Sequence, residues 1–380
     1  MKAKLNWSRV AILLWLIPMA VIAISIIVHP LNRSMTPIYH DAVVNWDAHR
    51  PIYTGTHGFN YLPVFVPFFS IFTRLPLVVC EIAWRLIALI GLYFGLLRCT
   101  KSLTTINCPR AFTIITLLTL PMSLSAFRNG QSSAQLAASL VLAACCLKDQ
   151  HWSWATLWLC LALVCKPLAI PAIGLAVMMF PRIWWRMILG ALFVFAAPYL
   201  LAPASYANGL YVSFVGNIID CFDPGSRTFA DLNGVLMVLD LKLTGMTSLM
   251  VRIAAGGAMA IGCLLARNYG SDMWRTMLWL GLSAGYIMLF TPMNEANSYV
   301  ILAPSLGLWA WWHFENGSPW TAKFIGLMCG LMVFLPDIVA LVLGQLYGNE
   351  FAKFLYPLIT LIFLGILLQQ LNSKSTEIAL

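Results

Sequence analysis

The run VAILLWLIPMAVIAISIIV, residues 10–28, decides the class of this protein. It carries no charged side chain, and it is long enough for an α-helix to cross the hydrocarbon core of a bilayer, which takes about 20 residues. Lys2, Lys4 and Arg9 precede the run, and His29 and Pro30 follow it in place of a small-residue cleavage site. The pattern predicts an uncleaved signal anchor that forms the first transmembrane helix.

The composition of the whole chain agrees with this first run. Of the 380 residues, 61% are hydrophobic and 10% are charged, whereas soluble domains carry about 25% charged residues. This balance excludes a soluble globular enzyme, a disordered protein and a nucleic-acid-binding domain. It predicts an all-α protein, a polytopic transmembrane helical bundle that forms one integral membrane domain over residues 1–380, with membrane lipids among its partners and no nucleic acid.

Further apolar runs predict about twelve crossings in all. A segment broken by Pro63 and Pro67, residues 61–75, is expected to be re-entrant or interfacial, because prolines interrupt a spanning helix. The expected crossings are residues 9–29, 78–97, 111–127, 131–147, 151–165, 168–181, 185–204, 246–266, 274–291, 298–314, 320–341 and 353–371.

Positive charge orients this layout, because cytoplasmic loops collect lysine and arginine. With the N-terminus inside, 13 lysines and arginines fall on the cytoplasmic side and 7 on the other, while Arg74, Arg85 and Arg252 lie in apolar segments. We therefore expect both termini to be cytoplasmic. Two long outer loops follow from the same layout, at about residues 30–60 and 205–245, and long loops in compact proteins are usually functional.

Cysteine and histidine patterns give no sign of a disulfide framework or a metal site. Most of the ten cysteines fall in apolar runs, no CxxC pair occurs, and the histidines lack the spacing of metal ligands. No glycine-rich phosphate loop is present either. We expect no cofactor.

Five polar clusters share the outer face under this topology, which is the main sign of a single site. They are far apart in the sequence. The clusters are Tyr39-His40-Asp41, Arg128-Asn129-Gly130-Gln131, Lys166-Pro167, Arg227 to Asn233, and Asn294-Glu295-Ala296-Asn297.

Asp41 is the candidate catalytic residue. A carboxylate in the first outer loop can take the proton of an attacking hydroxyl as a general base, and Asp47 is a weaker candidate for the same position. The alternative for each is an ordinary surface or helix-capping acid. Tyr39 and His40 beside Asp41 are candidate substrate-binding residues.

The second and third clusters carry cations. Arg128, Asn129 and Gln131 can form a corner that binds phosphate or sugar hydroxyls, or they can simply cap a tight turn at Gly130. Lys166 follows a short helix, and its charge near the membrane needs either an anion, such as a phosphate, or a path for snorkelling to water.

The last two clusters suit sugar recognition as well as structural roles. Asp231 and Asn233 can contact a sugar, but an ion pair between Arg227 and Asp231 that fixes the loop is slightly favoured. Glu295 and Asn297 suit the recognition of hydroxyl groups, while asparagine at the start of a helix also has a capping role.

The order of these motifs resembles glycosyltransferase family 87, the polyprenyl-phosphate-mannose-dependent group of membrane enzymes with a C-type fold. Tyr39-His40-Asp41-Ala42, Pro51-Ile52-Tyr53 and Phe59-Asn60-Tyr61-Leu62-Pro63 are similar to its first outer loop. Asn129-Gly130-Gln131 resembles its N-G-Q turn, and Lys166-Pro167 its K-P helix end. The segments 227–234 and 294–299 resemble later outer elements.

The resemblance implies a C-type glycosyltransferase with the active site on the outer, periplasmic face of a bacterial inner membrane. Such an enzyme moves a mannose-like hexose from a polyprenyl-phosphate-linked donor to a lipid or glycan acceptor, by a direct displacement that inverts the anomeric centre. Asp41 would then be the base, Lys166 and Arg128 would hold the phosphate, and Tyr61 would contact substrate.

Two other classes stay open from the sequence. A polysaccharide polymerase or ligase is also a membrane enzyme with a large outer loop. A lipid-linked saccharide transporter or flippase places ionisable residues within the membrane, and Arg85 and Arg252 fit that pattern.

Overall fold

The computed structural model describes residues 6–55, 58–104, 107–222 and 228–379, with side chains as far as residue 373. These residues form sixteen α-helices and contain no strand. The helices are α1 (Trp7–Val28), α2 (Thr36–Asp47), α3 (Phe65–Thr73), α4 (Leu77–Leu103), α5 (Cys108–Asn129), α6 (Ser132–Lys148), α7 (Trp152–Cys165), α8 (Ile170–Met179), α9 (Trp184–Leu201), α10 (Ala204–Phe222), α11 (Leu232–Leu236), α12 (Gly245–Ala266), α13 (Asp272–Phe290), α14 (Ala303–Glu315), α15 (Pro319–Leu343) and α16 (Gln345–Ala379).

Four short 3-10 segments extend or join these helices. They are Pro167–Ala169, Pro181–Ile183, Met237–Leu239 and Ala296–Ile301. Two of them begin with a proline, whose fixed φ suits the first position of a helix and whose missing N–H has no partner there to lose.

Seven helices in the described part of the chain are long and apolar enough to cross a membrane, so the all-helical membrane architecture is confirmed. They comprise Trp7–Val28, Leu77–Leu103, Cys108–Asn129, Pro181–Leu201, Gly245–Ala266, Pro319–Leu343 and Gln345–Ser373. The expected number of about twelve crossings and the C-type arrangement are not confirmed.

The other five expected crossings are helical as well, but they are shorter or more polar. Helices α6, α7 and α8 have 17, 14 and 10 residues. Helices α13 and α14 have 19 and 13 residues, and 14 residues of α13 are buried. A helix that is apolar on all sides can be covered by protein instead of lipid.

The interior of the bundle is built around α6. Fifteen of its 17 residues are buried, and it packs against α4, α7 and α13. Small residues along α6, such as Ala137, Ala138 and Ala144, let neighbouring backbones approach closely, as in other membrane helices. The first residues of this central helix therefore hold a fixed position in the bundle.

Both segments expected as long outer loops contain helices. Residues 30–60 include α2, whose buried face holds Tyr39, Ala42, Val43 and Trp46. Residues 205–245 include α10, α11 and a 3-10 segment. The apolar residues of these stretches are spaced for a helix with one buried face. Helices therefore form where the sequence predicted loops.

The segment at residues 61–75 forms α3, a helix of 9 residues. Nine residues rise only about 14 Å, roughly half of the hydrocarbon core. Phe65 and Phe69 of α3 are fully buried and contact Tyr39 of α2. The expectation of a piece that does not cross agrees with this short, buried helix.

Candidate functional site

A cavity of about 160 Å³ opens where the start of α6, the end of α7 and the Ala296–Ile301 segment meet. Three of the five polar clusters contribute to it. Its walls comprise Met35, Gly58, Asn60, Tyr61, Gln131, Lys166, Pro167, Leu168, Ile218, Cys221, Pro292, Met293, Glu295 and Ser298.

Lys166 supplies the positive charge of this cavity. It lies between α7 and the 3-10 segment Pro167–Ala169, in an extended conformation that ends α7. Its Nζ donates to Ser133 Oγ at 2.8 Å. Burial lowers the pKa of Lys166 to about 8, and the nearby Glu295 opposes that shift. The lysine is therefore a poorly solvated cation, and Glu295 is the carboxylate near it among the described residues.

Gln131 and Glu295 face each other across the same cavity. Gln131 Nε2 donates to Glu295 Oε2 at 3.2 Å. Gln131 is the cap residue of α6, so the backbone N–H groups of the first turn of α6 lie directly beyond it. The positive end of the helix macrodipole favours an anion at such a position.

One buried polar atom in the cavity wall lacks a partner among the described residues. It is Gln131 Oε1, and the side chain of Gln131 is more than nine-tenths buried. Ser132, the next residue, has the hydroxyls of Tyr39 and Tyr61 as hydrogen-bond partners. Because buried polar atoms are nearly always hydrogen-bonded in native structures, Gln131 Oε1 is suited to accept a hydrogen bond from a substrate hydroxyl.

Two tyrosines, Tyr39 and Tyr61, pack between α2 and the start of α6. The hydroxyls of Tyr39 and Tyr61 are 2.9 Å apart, and Tyr39 Oη accepts a hydrogen bond from the N–H of Ser132 at 3.3 Å. Burial raises the pKa of both tyrosines, so both hydroxyls stay protonated at neutral pH. Tyr61 lines the cavity, while Tyr39 lies behind it.

A buried ion pair holds the elements around this site together. Arg85 Nη1 lies 2.6 Å from Glu81 Oε2 within α4, and both side chains are buried. Arg85 also donates to the carbonyl of Arg128 and to Ser34 Oγ, and Ser34 and Thr36 donate to Glu81. The pair thus joins α4 to the start of α2 and to the turn between α5 and α6.

The backbone of the turn at residues 128–130 faces this ion pair. The carbonyl of Asn129 accepts from Met35 N at 2.9 Å, and that of Gly130 from Trp84 Nε1 at 2.9 Å. The side chain of Arg128 is exposed, and neither Arg128 nor Asn129 lines the cavity. Of the three candidates in this cluster, only Gln131 enters the cavity with its side chain.

Asp41 lies on α2 in an adjoining hollow. It is exposed, and it lines that hollow with Asn45, Thr54 and Gly58. Gly58 also lines the cavity of Lys166, so the two spaces share this residue as a wall. The structure thus places Asp41 beside the cavity and not among its lining residues.

His40, next to Asp41, and Asp47, at the end of the same helix, contact residues outside the cavity of Lys166. His40 Nε2 lies 3.6 Å from Cys80 Sγ, and its ring packs against Phe69. Asp47 is exposed at the end of α2, near Tyr206. Neither residue lines the cavity of Lys166.

Asp231 and Asn233 form a separate structural unit. Asp231 caps α11 by accepting from Asn233 N at 3.0 Å, and Asn233 exchanges two hydrogen bonds with Leu243. Burial raises the pKa of Asp231 to about 6, which the nearby Arg252 opposes. The expected partner Arg227 lies outside the described residues, so the expected pair between Arg227 and Asp231 does too.

Asn297 lies beside the cavity and faces a second hollow with Glu295. Its Oδ1 accepts from Ser125 Oγ of α5. The site thus brings together Tyr61, Gln131, Lys166 and Glu295, with Asn297 and Asp41 in adjoining hollows.

Sequence reasoning missed two features of this site. Ser133 was not singled out, although it follows Gln131 by two residues at the start of the same helix. Glu81 was overlooked as well, although its spacing of four residues from Arg85 is the spacing of an ion pair on one helix face. Among the described residues, no three His, Cys, Asp or Glu side chains form a group that could hold a metal ion.

A comparison with known protein families identifies the family of this chain. The family model of glycosyltransferase family 87 matches residues 59–336, which is more than half of the chain. The matched range includes Tyr61, Gln131, Lys166 and Glu295 but begins after Asp41. No curated protein matches the chain.

Proposed function

The chain belongs to glycosyltransferase family 87, and from this premise we propose that it transfers a mannose-like hexose from a polyprenyl-phosphate-linked donor to a lipid or glycan acceptor. One observation carries the proposal. The half-buried cation Lys166 shares a cavity with Gln131, the cap residue at the positive end of α6. That combination suits a phosphate.

The phosphate is the leaving group of the proposed reaction. As the bond from the anomeric carbon to the phosphate oxygen breaks, that oxygen keeps the electron pair and gains negative charge. The ammonium of Lys166 stabilises this charge, with the positive end of the α6 macrodipole nearby, in a setting where water is partly excluded. Arg128, which the sequence suggested as a second cation for the phosphate, does not line this cavity and is given no role in the proposal.

The acceptor hydroxyl attacks the anomeric carbon from the opposite side, which inverts its configuration. We propose that Asp41 takes the hydroxyl proton. This assignment is supported by the hollow of Asp41, which shares Gly58 as a wall residue with the cavity of Lys166. A base on one side of the sugar and a cation on the other is the arrangement that direct displacement needs.

Glu295 is a second candidate for the base. Unlike Asp41 it lines the same cavity as Lys166, and it also faces the hollow of Asn297. Its hydrogen bond from Gln131 fixes one carboxylate oxygen. The two acids can be separated by experiment, as argued in the Discussion.

The donor is proposed to bring its lipid tail along α10. This helix places Ile218 and Cys221 on the cavity wall, while Val212, Val215 and Ile219 are exposed apolar side chains. An apolar surface next to a phosphate-binding cavity suits a molecule with a hydrocarbon chain and an anionic head group.

We propose that the protein lies in the bacterial inner membrane with both termini in the cytoplasm and the cavity on the periplasmic side. The distribution of lysine and arginine along the sequence supports this orientation. The donor would then be used on the outer face.

Lys166→Met tests the proposal. In purified protein reconstituted in lipid, transfer of radiolabelled mannose from polyprenyl-phosphate-mannose should fall by about 10- to 150-fold, since a hydrogen bond to a charged group contributes about 1.5–3 kcal/mol. Binding of the donor should weaken with it. Lys101→Met is the matched control, because Lys101 is exposed in the last turn of α4. Near-normal transfer by Lys166→Met would contradict the proposed phosphate site.

A further inference from the structure

A second hollow, of about 640 Å³, adjoins the cavity of Lys166. We call it the amide groove. Its walls come from the turn at residues 228–230, the turn at residues 294–297 and the first two turns of α16. The side chains that matter here are Phe229, Glu295, Asn297, Asn349, Glu350 and Lys353.

Backbone contacts fix the walls of the amide groove. The N–H of Ala230 donates to the carbonyl of Asn294 at 2.7 Å, and Tyr299 Oη donates to the carbonyl of Ala230 at 3.0 Å. A Cβ atom at Gly234 would lie 2.0 Å from the carbonyl oxygen of Lys353. Helix α11 therefore packs against α16 at van der Waals distance, and the groove is preformed.

The chemistry of the groove suits neutral hydroxyl groups better than an anion. Lys353 Nζ is paired with Glu350 Oε1 at 2.6 Å, which offsets its charge. The amide oxygens of Asn297 and Asn349 accept from Ser125 Oγ and Gln345 Nε2. Their N–H groups are hydrogen-bond donors that suit the oxygens of a sugar. Phe229, half-buried at the edge, offers an aromatic ring to the C–H face of a sugar.

The groove opens beside an apolar surface. Leu346 lines it and is 70% exposed, and its neighbour Tyr347 is 60% exposed. Large exposed apolar side chains next to a polar hollow suit an amphipathic molecule with an apolar tail and a polar head. The combination fits a saccharide head group carried on an apolar chain.

We propose that the amide groove binds the saccharide part of the acceptor. The inference rests on the proposed function, because only a glycosyltransferase needs a second substrate there. Glu295 lines both the groove and the cavity of Lys166, so a saccharide in the groove lies next to the donor's sugar. The acceptor class is therefore a sugar with free hydroxyls, either alone or on a lipid.

A photoactivatable octyl α-mannoside is the probe for this groove, used on the full chain in lipid nanodiscs without donor. After illumination, peptides that contain residues 228–230 or 346–353 should carry the label. Asn349→Ala should weaken binding of the probe about 3- to 10-fold, the scale for one neutral hydrogen bond, without changing binding of the donor. Asn268→Ala is the matched control, since Asn268 is an exposed asparagine beyond the far end of α12.

Competition distinguishes the two sources of the saccharide. Equal protection by methyl α-mannoside and octyl α-mannoside supports the groove as a site for a free sugar, while protection by the octyl compound alone supports it as a site for a glycolipid. Label confined to other helices, or probe binding unchanged in Asn349→Ala, would overturn the inference.

The two proposals can fail separately. Normal transfer by Lys166→Met would refute the phosphate site and leave the labelling result standing. Label outside the groove, together with a strong loss in Lys166→Met, would refute only the acceptor groove.

Discussion

Arg85 Nη1 lies 2.6 Å from Glu81 Oε2, and the pair is buried at the junction of three elements that frame the candidate site. Ionisable residues inside membrane proteins often mark transport pathways, and in the sequence Arg85 fits that pattern, as Arg252 does. In the structure its guanidinium is bound by Glu81, Ser34 and the carbonyl of Arg128. These contacts give Arg85 a structural role.

Arg85→Met should strongly destabilise the protein. The change leaves the carboxylate of Glu81 buried without its countercharge, which costs about 3–5 kcal/mol. Thermal unfolding in detergent is the measurement. Arg98→Met is the matched control, because the pair of Arg98 with Asp149 is partly exposed and such pairs contribute about 0–1 kcal/mol. Equal stability of the two variants would contradict the role assigned to Arg85.

Gly130→Ala should also lower stability. Gly130 ends α5 with a φ of 61°, and a Cβ there would lie 2.8 Å from Arg85 Nη2. The left-handed conformation costs a non-glycine residue about 1–2 kcal/mol, and the contact with Arg85 adds to that cost. Gly257→Ala, in the open middle of α12, should be neutral or slightly stabilising. The same unfolding measurement compares the two, and loss of stability in Gly257→Ala alone would refute the prediction.

Donor binding should weaken as the pH rises through about 8. Burial lowers the pKa of Lys166 to about 8, and a lysine attracts phosphate only while it is protonated. Affinity for polyprenyl-phosphate-mannose should therefore be full below that pH and fall above it, with a bound phosphate moving the midpoint upward. Arginine stays protonated over this range, so the affinity that Lys166→Arg retains should not fall between pH 8 and 10. A parallel decline in both proteins would show that another group titrates.

The base should be identified by three matched variants. Asp41→Asn removes the carboxylate of the proposed base without changing its size, and general-base catalysis contributes about 10²- to 10⁴-fold. Transfer should fall by at least about 100-fold while donor binding survives. Asp47→Asn, on the same helix, should lose much less. If Asp41→Asn stays active and Glu295→Gln does not, the base is Glu295.

The orientation in the membrane should be testable at the two ends of α12. Lys242→Cys, just before this helix, should react with a membrane-impermeant maleimide added to intact cells. Asn268→Cys, just after it, should react only once the membrane is opened. The reverse pattern would place the candidate site in the cytoplasm and contradict the proposed location.

The helices could be located from the sequence because apolar runs mark them whether lipid or protein covers them. The number of crossings does not follow from the apolar runs alone, because α6 and α13 are covered by their neighbours. A helix covered by protein has the same apolar character whether it spans the bilayer or ends within it.

Part of the candidate site could be predicted because several of its residues lie at helix ends. Lys166, Gln131 and Glu295 end or begin helices, and the shared end of a bundle brings such residues together. Asp41 and Asn233 lie within elements whose rotation decides which way each side chain points. Asp41 is on the exposed side of α2, and Asn233 is engaged by Leu243. Sequence position alone does not fix that rotation.

In the turn between α5 and α6, backbone carbonyls anchor the turn and the side chain of Gln131 lines the cavity. The carbonyls at Arg128, Asn129 and Gly130 are held by α4 and by the start of α2, while the side chain of Gln131 enters the cavity. A replacement at position 131 therefore leaves the anchoring intact. This makes the position a natural starting point for altering selectivity, both during divergence of the family and in laboratory engineering.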